Sequence, residues 1–229
     1  MPLHWEPTPG DHGTGLDIFL VPPVIGLHPP LDVSFTFIAR ALSVGGHRTT
    51  IVSFPGQHGN EGVFSVARSC FQLREHVRKA DRPFLIFGIC SGALAALAAS
   101  VSNVQARGVF CWDLSSNIEY SQEMLTSLSQ RYGVMFCRSS ALLPVQATQL
   151  VQLVNAPIVF AYPKRSFYTR PRLQQGLAKM AAAGRAVCLE NTGHFPGVPR
   201  GSEKVFAQAL SCWAESFSLT SGEISNDHK

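Results

Sequence analysis

The chain has 229 residues, which suits one α/β domain and allows two at most, at roughly 100–200 residues per domain. Hydrophobic residues make up 45% and charged residues 15%, so an extended disordered protein is excluded. The formal charge of +4 is too small, and its residues too scattered, for a nucleic-acid partner.

No apolar run reaches the roughly 18 residues of a membrane span. The opening stretch MPLHWEPTPGDHGTG carries acids and no apolar core, so it is not read as a signal peptide. The six cysteines (Cys70, Cys90, Cys111, Cys137, Cys188, Cys212) show no CxxC pair and no zinc spacing. They are expected to be mostly buried thiols in a reducing, cytoplasmic setting. No metal-ligand spacing, dinucleotide fingerprint or phosphate loop occurs, so no cofactor is expected.

Along the chain, short β-rich runs alternate with helical ones. Residues 17–24 (DIFLVPPV) predict a strand that stops at Pro22-Pro23, which lack ladder donors. Residues 33–44 predict a helix ended by Gly45-Gly46. Residues 48–54 predict a second strand, and 63–80 a helix with Val63, Val66, Ala67, Cys70, Phe71 and Val77 on its apolar face. Residues 84–87 (FLIF) read as a strand buried on both faces, followed by an Ala-rich helix over 93–101. Further strands are expected at 107–113, 156–162 and 185–189. A helix over 173–183 closes at Gly184, and a last amphipathic helix covers 203–217. Residues 114–155 read as an inserted helical lid within one domain spanning 1–229. Such alternation gives a doubly wound, mostly parallel sheet with helices on both faces.

The sharpest chemical signal is Gly88-Ile89-Cys90-Ser91-Gly92, set between a buried strand and a helix. A nucleophile elbow needs this strand-to-helix turn, with small residues two before and two after the nucleophile. Cys90 holds the central place; Ser91 does not, because the residue two before it is Ile89. A helix N-terminus favours thiolate over thiol, and its free N–H groups suit an oxyanion. A bland alternative is a small residue tolerated in a tight turn.

The second signal is Gly193-His194, in the loop after the final predicted strand. Of the eight histidines, only His194 is so placed. A loop there can lower an imidazole onto the elbow residue. The third member is an acid to orient that ring. The usual place is the loop after the penultimate strand, here Pro163-Lys164-Arg165-Ser166-Phe167, which has no carboxylate. No Asp or Glu occurs between Glu123 and Glu190. Asp113, at the carboxyl end of the strand after the elbow helix, is the leading candidate. A helix N-cap is its rival role, and Glu190 is the other acid weighed. The oxyanion hole is expected from the N–H of Ser91 and of Val24, with Ile25 next, since Pro22 and Pro23 cannot donate.

These motifs resemble the α/β-hydrolase fold. Phe54-Pro55-Gly56-Gln57-His58-Gly59 is similar to that family's P-G-x-G turn, and the order nucleophile, acid, His is also the family's. The chain looks like a version without the early β-hairpin. The G-x-C-x-G elbow resembles dienelactone hydrolases and, more closely in the acid position, Dieckmann cyclases that release tetramate and pyridinedione skeletons from carrier proteins. Assembly-line thioesterases are similar in size and motif order but would carry Ser at the elbow.

The resemblance implies a Cys90–His194–Asp113 triad that takes a carrier-bound acyl chain onto Cys90 and cyclises it. The alternatives are a thioesterase or lactone/ester hydrolase, and a non-catalytic binding protein on the same fold. The expected partner is a small-molecule acyl substrate. An acidic acyl or peptidyl carrier would dock on the basic run Lys164, Arg165, Arg170, Arg172. The lid residues Leu125, Leu128, Val134, Met135, Phe136, Leu142 and Leu143 would line an acyl pocket or pack on the sheet.

Overall fold

A computed structural model describes residues 3–5, 16–29, 31–57, 59–80, 82–114, 122–136, 146–166 and 170–220. The strands are β1 (Leu3–Trp5), β2 (Asp17–Val21), β3 (Arg48–Ile51), β4 (Phe84–Ile89), β5 (Ala106–Trp112), β6 (Ile158–Pro163) and β7 (Gly184–Leu189). They form one sheet in the order β1-β3-β2-β4-β5-β6-β7. Strands β2 to β7 pair in parallel, and β1 joins the edge antiparallel to β3.

The helices are α1 (Leu31–Val44), α2 (Val66–Val77), α3 (Ser91–Ser100), α4 (Gln122–Tyr132), α5 (Ala147–Val151), α6 (Pro171–Met180) and α7 (Ser202–Thr220). None of the described helices is long and apolar enough to cross a membrane.

The expected doubly wound sheet is present, with corrections at its elements. Strand β1 precedes β2, so an early antiparallel strand exists where none was expected. Three residues are too short a run for the sequence to announce. Helix α2 starts at Val66 because Ser65 caps it, its side chain accepting from the Arg68 N–H at 3.3 Å. Phe71 therefore faces solvent, 64% exposed, and not the core. Helix α6 begins at Pro171 and ends at Met180. Gly184 does not close it but opens β7, where an added Cβ would stand 2.2 Å from the Ala178 carbonyl oxygen.

The thiols are also less buried than expected. Cys70 and Cys111 are buried and Cys90 is half-buried, but Cys188 on edge strand β7 and Cys212 on the outer side of α7 are exposed. Cys137 lies outside the described residues.

The core sits on both faces of β2, β4 and β5. Phe84, Phe87, Trp112, Phe160 and Phe206 are fully buried. Helix α3 is buried nearly all round, as befits an Ala-rich helix apolar on every side. Its small side chains let it lie close over the sheet and against α2.

Register sets the level of the site. Val21, Gly88, Cys111, Phe160 and Ala186 form one row across the sheet. Cys90 and Asp113 each stand two residues beyond that row, at the carboxyl edge where open α/β sheets place ligands.

Candidate active site

Cys90 is the single residue between β4 and α3. Its backbone, φ 52° and ψ −113°, lies in a region that residues with a Cβ rarely occupy. Two bonds hold it there. The Cys90 N–H donates to the Trp112 carbonyl at 2.9 Å, and the Ala93 N–H donates to the Cys90 carbonyl at 3.2 Å.

The flanking glycines are required by contact. A Cβ on Gly88 would stand 2.5 Å from the Gly92 carbonyl oxygen and 2.6 Å from Ala93 Cα. A Cβ on Gly92 would stand 2.4 Å from the Val21 oxygen and 2.5 Å from the Pro22 oxygen. The G-x-C-x-G pattern thus records how tightly α3 starts against β4 and the end of β2.

Asp113 follows β5 directly. Its φ of 44° is left-handed, and its N–H donates to the Ala161 carbonyl at 2.8 Å. That turn places a fully buried carboxylate. Its Oδ2 accepts from His194 Nδ1 at 2.6 Å and from Ser166 Oγ at 2.8 Å.

His194 arrives on the β7–α7 loop. Thr192 Oγ1 donates to the Leu189 carbonyl at 2.7 Å, and a Cβ on Gly193 would stand 2.2 Å from the Val198 oxygen. The indole Nε1 of Trp112 donates to the His194 carbonyl at 2.9 Å. Consecutive residues of β5 and its end therefore hold both the backbone and the ring of His194. The His194 side chain is 10% exposed. With Nδ1 on Asp113, Nε2 is the nitrogen left for the Cys90 side chain, which interacts with the ring.

Electrostatics follow from this packing. Burial alone would lower the His194 pKa, because it penalises the charged ring. The hydrogen bond to Asp113, with the further interactions of Asp113 and Cys90, outweighs it and raises the value to about 9. The ring therefore holds its proton well above the usual histidine range, beside the Asp113 carboxylate.

Ser91 directly follows the elbow residue, and Val24 lies in the loop after β2, whose first residue packs on Gly92. The Gly26 N–H donates to the Pro23 carbonyl at 2.8 Å, which curls the loop after β2. Buried Gln57 braces it: Nε2 donates to the Pro23 carbonyl at 2.9 Å, and Oε1 accepts from the Phe54 N–H at 2.9 Å. Among the described residues, the N–H groups of Val24 and Ser91 meet no backbone acceptor. Ile25 is adjacent and buried.

Glu190 is not brought to the site. It is exposed and pairs with Lys164 Nζ at 3.1 Å. The structure therefore gathers Cys90, His194 and Asp113 and leaves Glu190 outside.

Sequence reasoning missed Ser166, Gln57 and the Trp112 indole. Only Ser166 had a signal, since it lies in the loop where an acid was sought. Beside the site, α4 meets the loop after β2 through Tyr132, whose ring is edge-on to His28 at 5.0 Å. After α4, the Met135 N–H donates to the Gly56 carbonyl at 2.8 Å, and Phe64 bridges Phe136. Leu125 and Val134 are buried, Leu128 and Phe136 partly buried, and Met135 is 52% exposed. Leu142 and Leu143 lie outside the described residues.

No protein-family model and no curated protein matches the sequence. Solved structures do. An α/β hydrolase from the metagenome of lagoon sediments at Mar Chica, Morocco, matches with a TM-score of 0.68 at 17% identity, covering 94% of each chain. A monoacylglycerol lipase from Paleococcus ferrophilus matches at 0.68 and 12% identity, over 94% of this chain and 98% of its own. The thioesterase domain from the curacin biosynthetic pathway matches at 0.65 and 15% identity, over 93% of each. Sheet order, elbow and neighbours agree, and the chain has the α/β-hydrolase fold.

Proposed function

We propose that the chain is an acyl-transfer enzyme with a Cys90–His194–Asp113 triad. The observation that carries this is one imidazole hydrogen-bonded at Nδ1 to a buried carboxylate and within interaction range of the elbow cysteine. The Cys90 thiolate attacks a thioester carbonyl of the substrate. The N–H groups of Val24 and Ser91 receive the oxyanion. As the tetrahedral intermediate collapses, the carrier thiol leaves with the proton from His194, and the acyl group stays on Cys90 as a new thioester.

The preferred second step is an intramolecular Dieckmann-type condensation. His194 removes a proton from an activated carbon of the acyl chain. That carbanion attacks the Cys90 thioester carbonyl, a C–C bond closes the ring, and the Cys90 thiolate leaves. Two features support cyclisation over hydrolysis. A thioester is more open to carbon nucleophiles than an oxyester, and its exchange from a carrier thiol is nearly isoenergetic. The acid after β5, with none after β6, is also the pattern of the resembling cyclases.

A thioesterase or ester hydrolase is the second reading. The thioesterase domain and the lipase among the structural neighbours favour it. The stretch 114–155 would act as the lid over the acyl chain. Lys164, Arg165, Arg170 and Arg172 would receive an acidic carrier protein; Arg165, Arg170 and Arg172 are exposed, while Lys164 is engaged with Glu190.

The test is incubation with β-ketoacyl-aminoacyl thioesters of a small thiol, beside Cys90→Ala. A product one water lighter than the free acid, absent with the variant, supports the cyclase. Free acid alone supports the hydrolase. Turnover unchanged in Cys90→Ala refutes the triad.

A further inference from the structure

Ser166 stands in the loop after β6, the loop in which no carboxylate occurs. Its Oγ donates to Asp113 Oδ2 at 2.8 Å, and the same oxygen accepts His194 Nδ1 at 2.6 Å. The acid thus leaves β5, and a hydroxyl from the next strand's loop meets it across the gap. We propose that Ser166 is the positioning residue of the acid: its hydroxyl fixes Asp113 Oδ2 in the orientation that receives His194 Nδ1.

The physical argument concerns rotation. A terminal carboxylate torsion is soft, and its preference is broad. A single donor leaves the group free to turn about that bond, whereas two donors from different elements fix it. Here Oδ2 takes one donor from the β6–α6 loop and one from the β7–α7 loop. The Asp113 backbone, at φ 44°, is itself in a rarely occupied region, so the side chain relies on its partners for its direction.

Two effects of the hydroxyl oppose each other. As a donor, it draws charge from Oδ2 and weakens that oxygen's hold on the imidazolium. As a clamp, it keeps Oδ2 at 2.6 Å from Nδ1. The proposal is that the clamp wins. The ionisable groups facing the His194 ring are Asp113 and Cys90; on the adjoining loops, Lys164 and Glu190 are exposed and paired to each other. The role rests on the reading of Cys90, His194 and Asp113 as a triad.

The experiment uses the full chain as wild type, Ser166→Ala and Ser166→Thr. The His194 ring is titrated by NMR of labelled histidine. Cys90 alkylation by iodoacetamide at pH 7 is followed by peptide mass. Ser166→Ala is expected to lower the His194 midpoint by about one unit and slow alkylation about 10-fold, the scale of one hydrogen bond to a charged group. Ser166→Thr restores both. A Ser166→Ala protein with wild-type midpoint and rate overturns the proposal. So does a midpoint that rises, since the hydroxyl would then only share charge. A wild-type Cys90 no more reactive than exposed Cys212 would instead sink the nucleophile reading, and the ring titration would still judge Ser166 by itself.

Discussion

Replacing Asp113 by Asn deletes a charge and keeps the shape. In the wild-type protein the His194 pKa stands at about 9, against 6.5 for a free ring. That difference corresponds to about 3 kcal/mol of preference for the charged ring, at ~1.36 kcal/mol per unit. Asp113 supplies the strongest of the raising contacts, while burial pulls the other way. The asparagine variant keeps the burial and loses the carboxylate, so the midpoint is expected to fall by at least two units, to about 6.5 or below.

Linkage gives a second readout. A raised pKa means the folded state holds the proton more tightly. Its stabilisation is complete below pH 6.5 and is lost as pH rises through about 9. Urea unfolding of the wild type should therefore lose up to about 3 kcal/mol across that window, and Asp113→Asn should flatten the loss. NMR of labelled histidine assigns the midpoint, and urea titrations at intervals from pH 6 to 9.5 follow the slope. Turnover should drop on the order of 10³–10⁴-fold, as when a triad acid is neutralised. A His194 midpoint unchanged in the variant would refute the electrostatic account of the site.

The other predictions concern the scaffold and its pH range. Gly92→Ala drives a Cβ to 2.4 Å from the Val21 oxygen, so a loss of about 3 kcal/mol or failure to fold is expected in a thermal melt. Gln57→Leu leaves the Phe54 N–H without its side-chain acceptor and the Pro23 carbonyl with the Gly26 N–H alone; a cost of ~1–3 kcal/mol and slower acylation of Cys90 by a small thioester should be measured together. Buried His47 accepts from the Leu16 N–H through Nδ1 at 3.3 Å, and burial lowers its pKa. The unfolded chain therefore takes up that proton first, and stability should decline as pH falls below 6.5. His47→Gln should weaken that decline in urea titrations between pH 7 and 5. Finally, Asp113→Asn with Ser166→Asp moves the carboxylate to a loop whose side chain already reaches Asp113. The pair should recover at least about 10-fold over Asp113→Asn alone in iodoacetamide labelling of Cys90, a tenfold effect being ~1.4 kcal/mol.

What the sequence disclosed follows from how local each feature is. The elbow was legible because its constraints lie within five residues: two glycines, a buried strand before them and a helix after. His194 was legible by order along the chain, and Asp113 by the lack of any carboxylate between Glu123 and Glu190. Sequence could not separate Asp113 from Glu190 on chemistry; in the structure the first is buried against His194 and the second is exposed on Lys164. Ser166, Gln57 and the Trp112 indole were hidden because each works across the sheet or between loops. Their partners lie 53, 34 and 82 residues away, and a serine or glutamine in a loop has no periodicity to mark it. Strand β1 was missed for a simpler reason, its three-residue length.

Gly56 ties the segment after α4 to the loop after β3. A Cβ there would stand 2.0 Å from the Phe64 nitrogen and 2.6 Å from the Met135 oxygen, so three stretches of backbone meet at a point where no side chain fits. The segment leaving α4 is pinned there, and the ring of Tyr132 at the end of α4 stands edge-on to His28 in the loop after β2. A side chain at position 56 would have to part all three stretches at once. The β3–α2 loop and the segment after α4 therefore tolerate change only together, and His28 would feel that change through Tyr132.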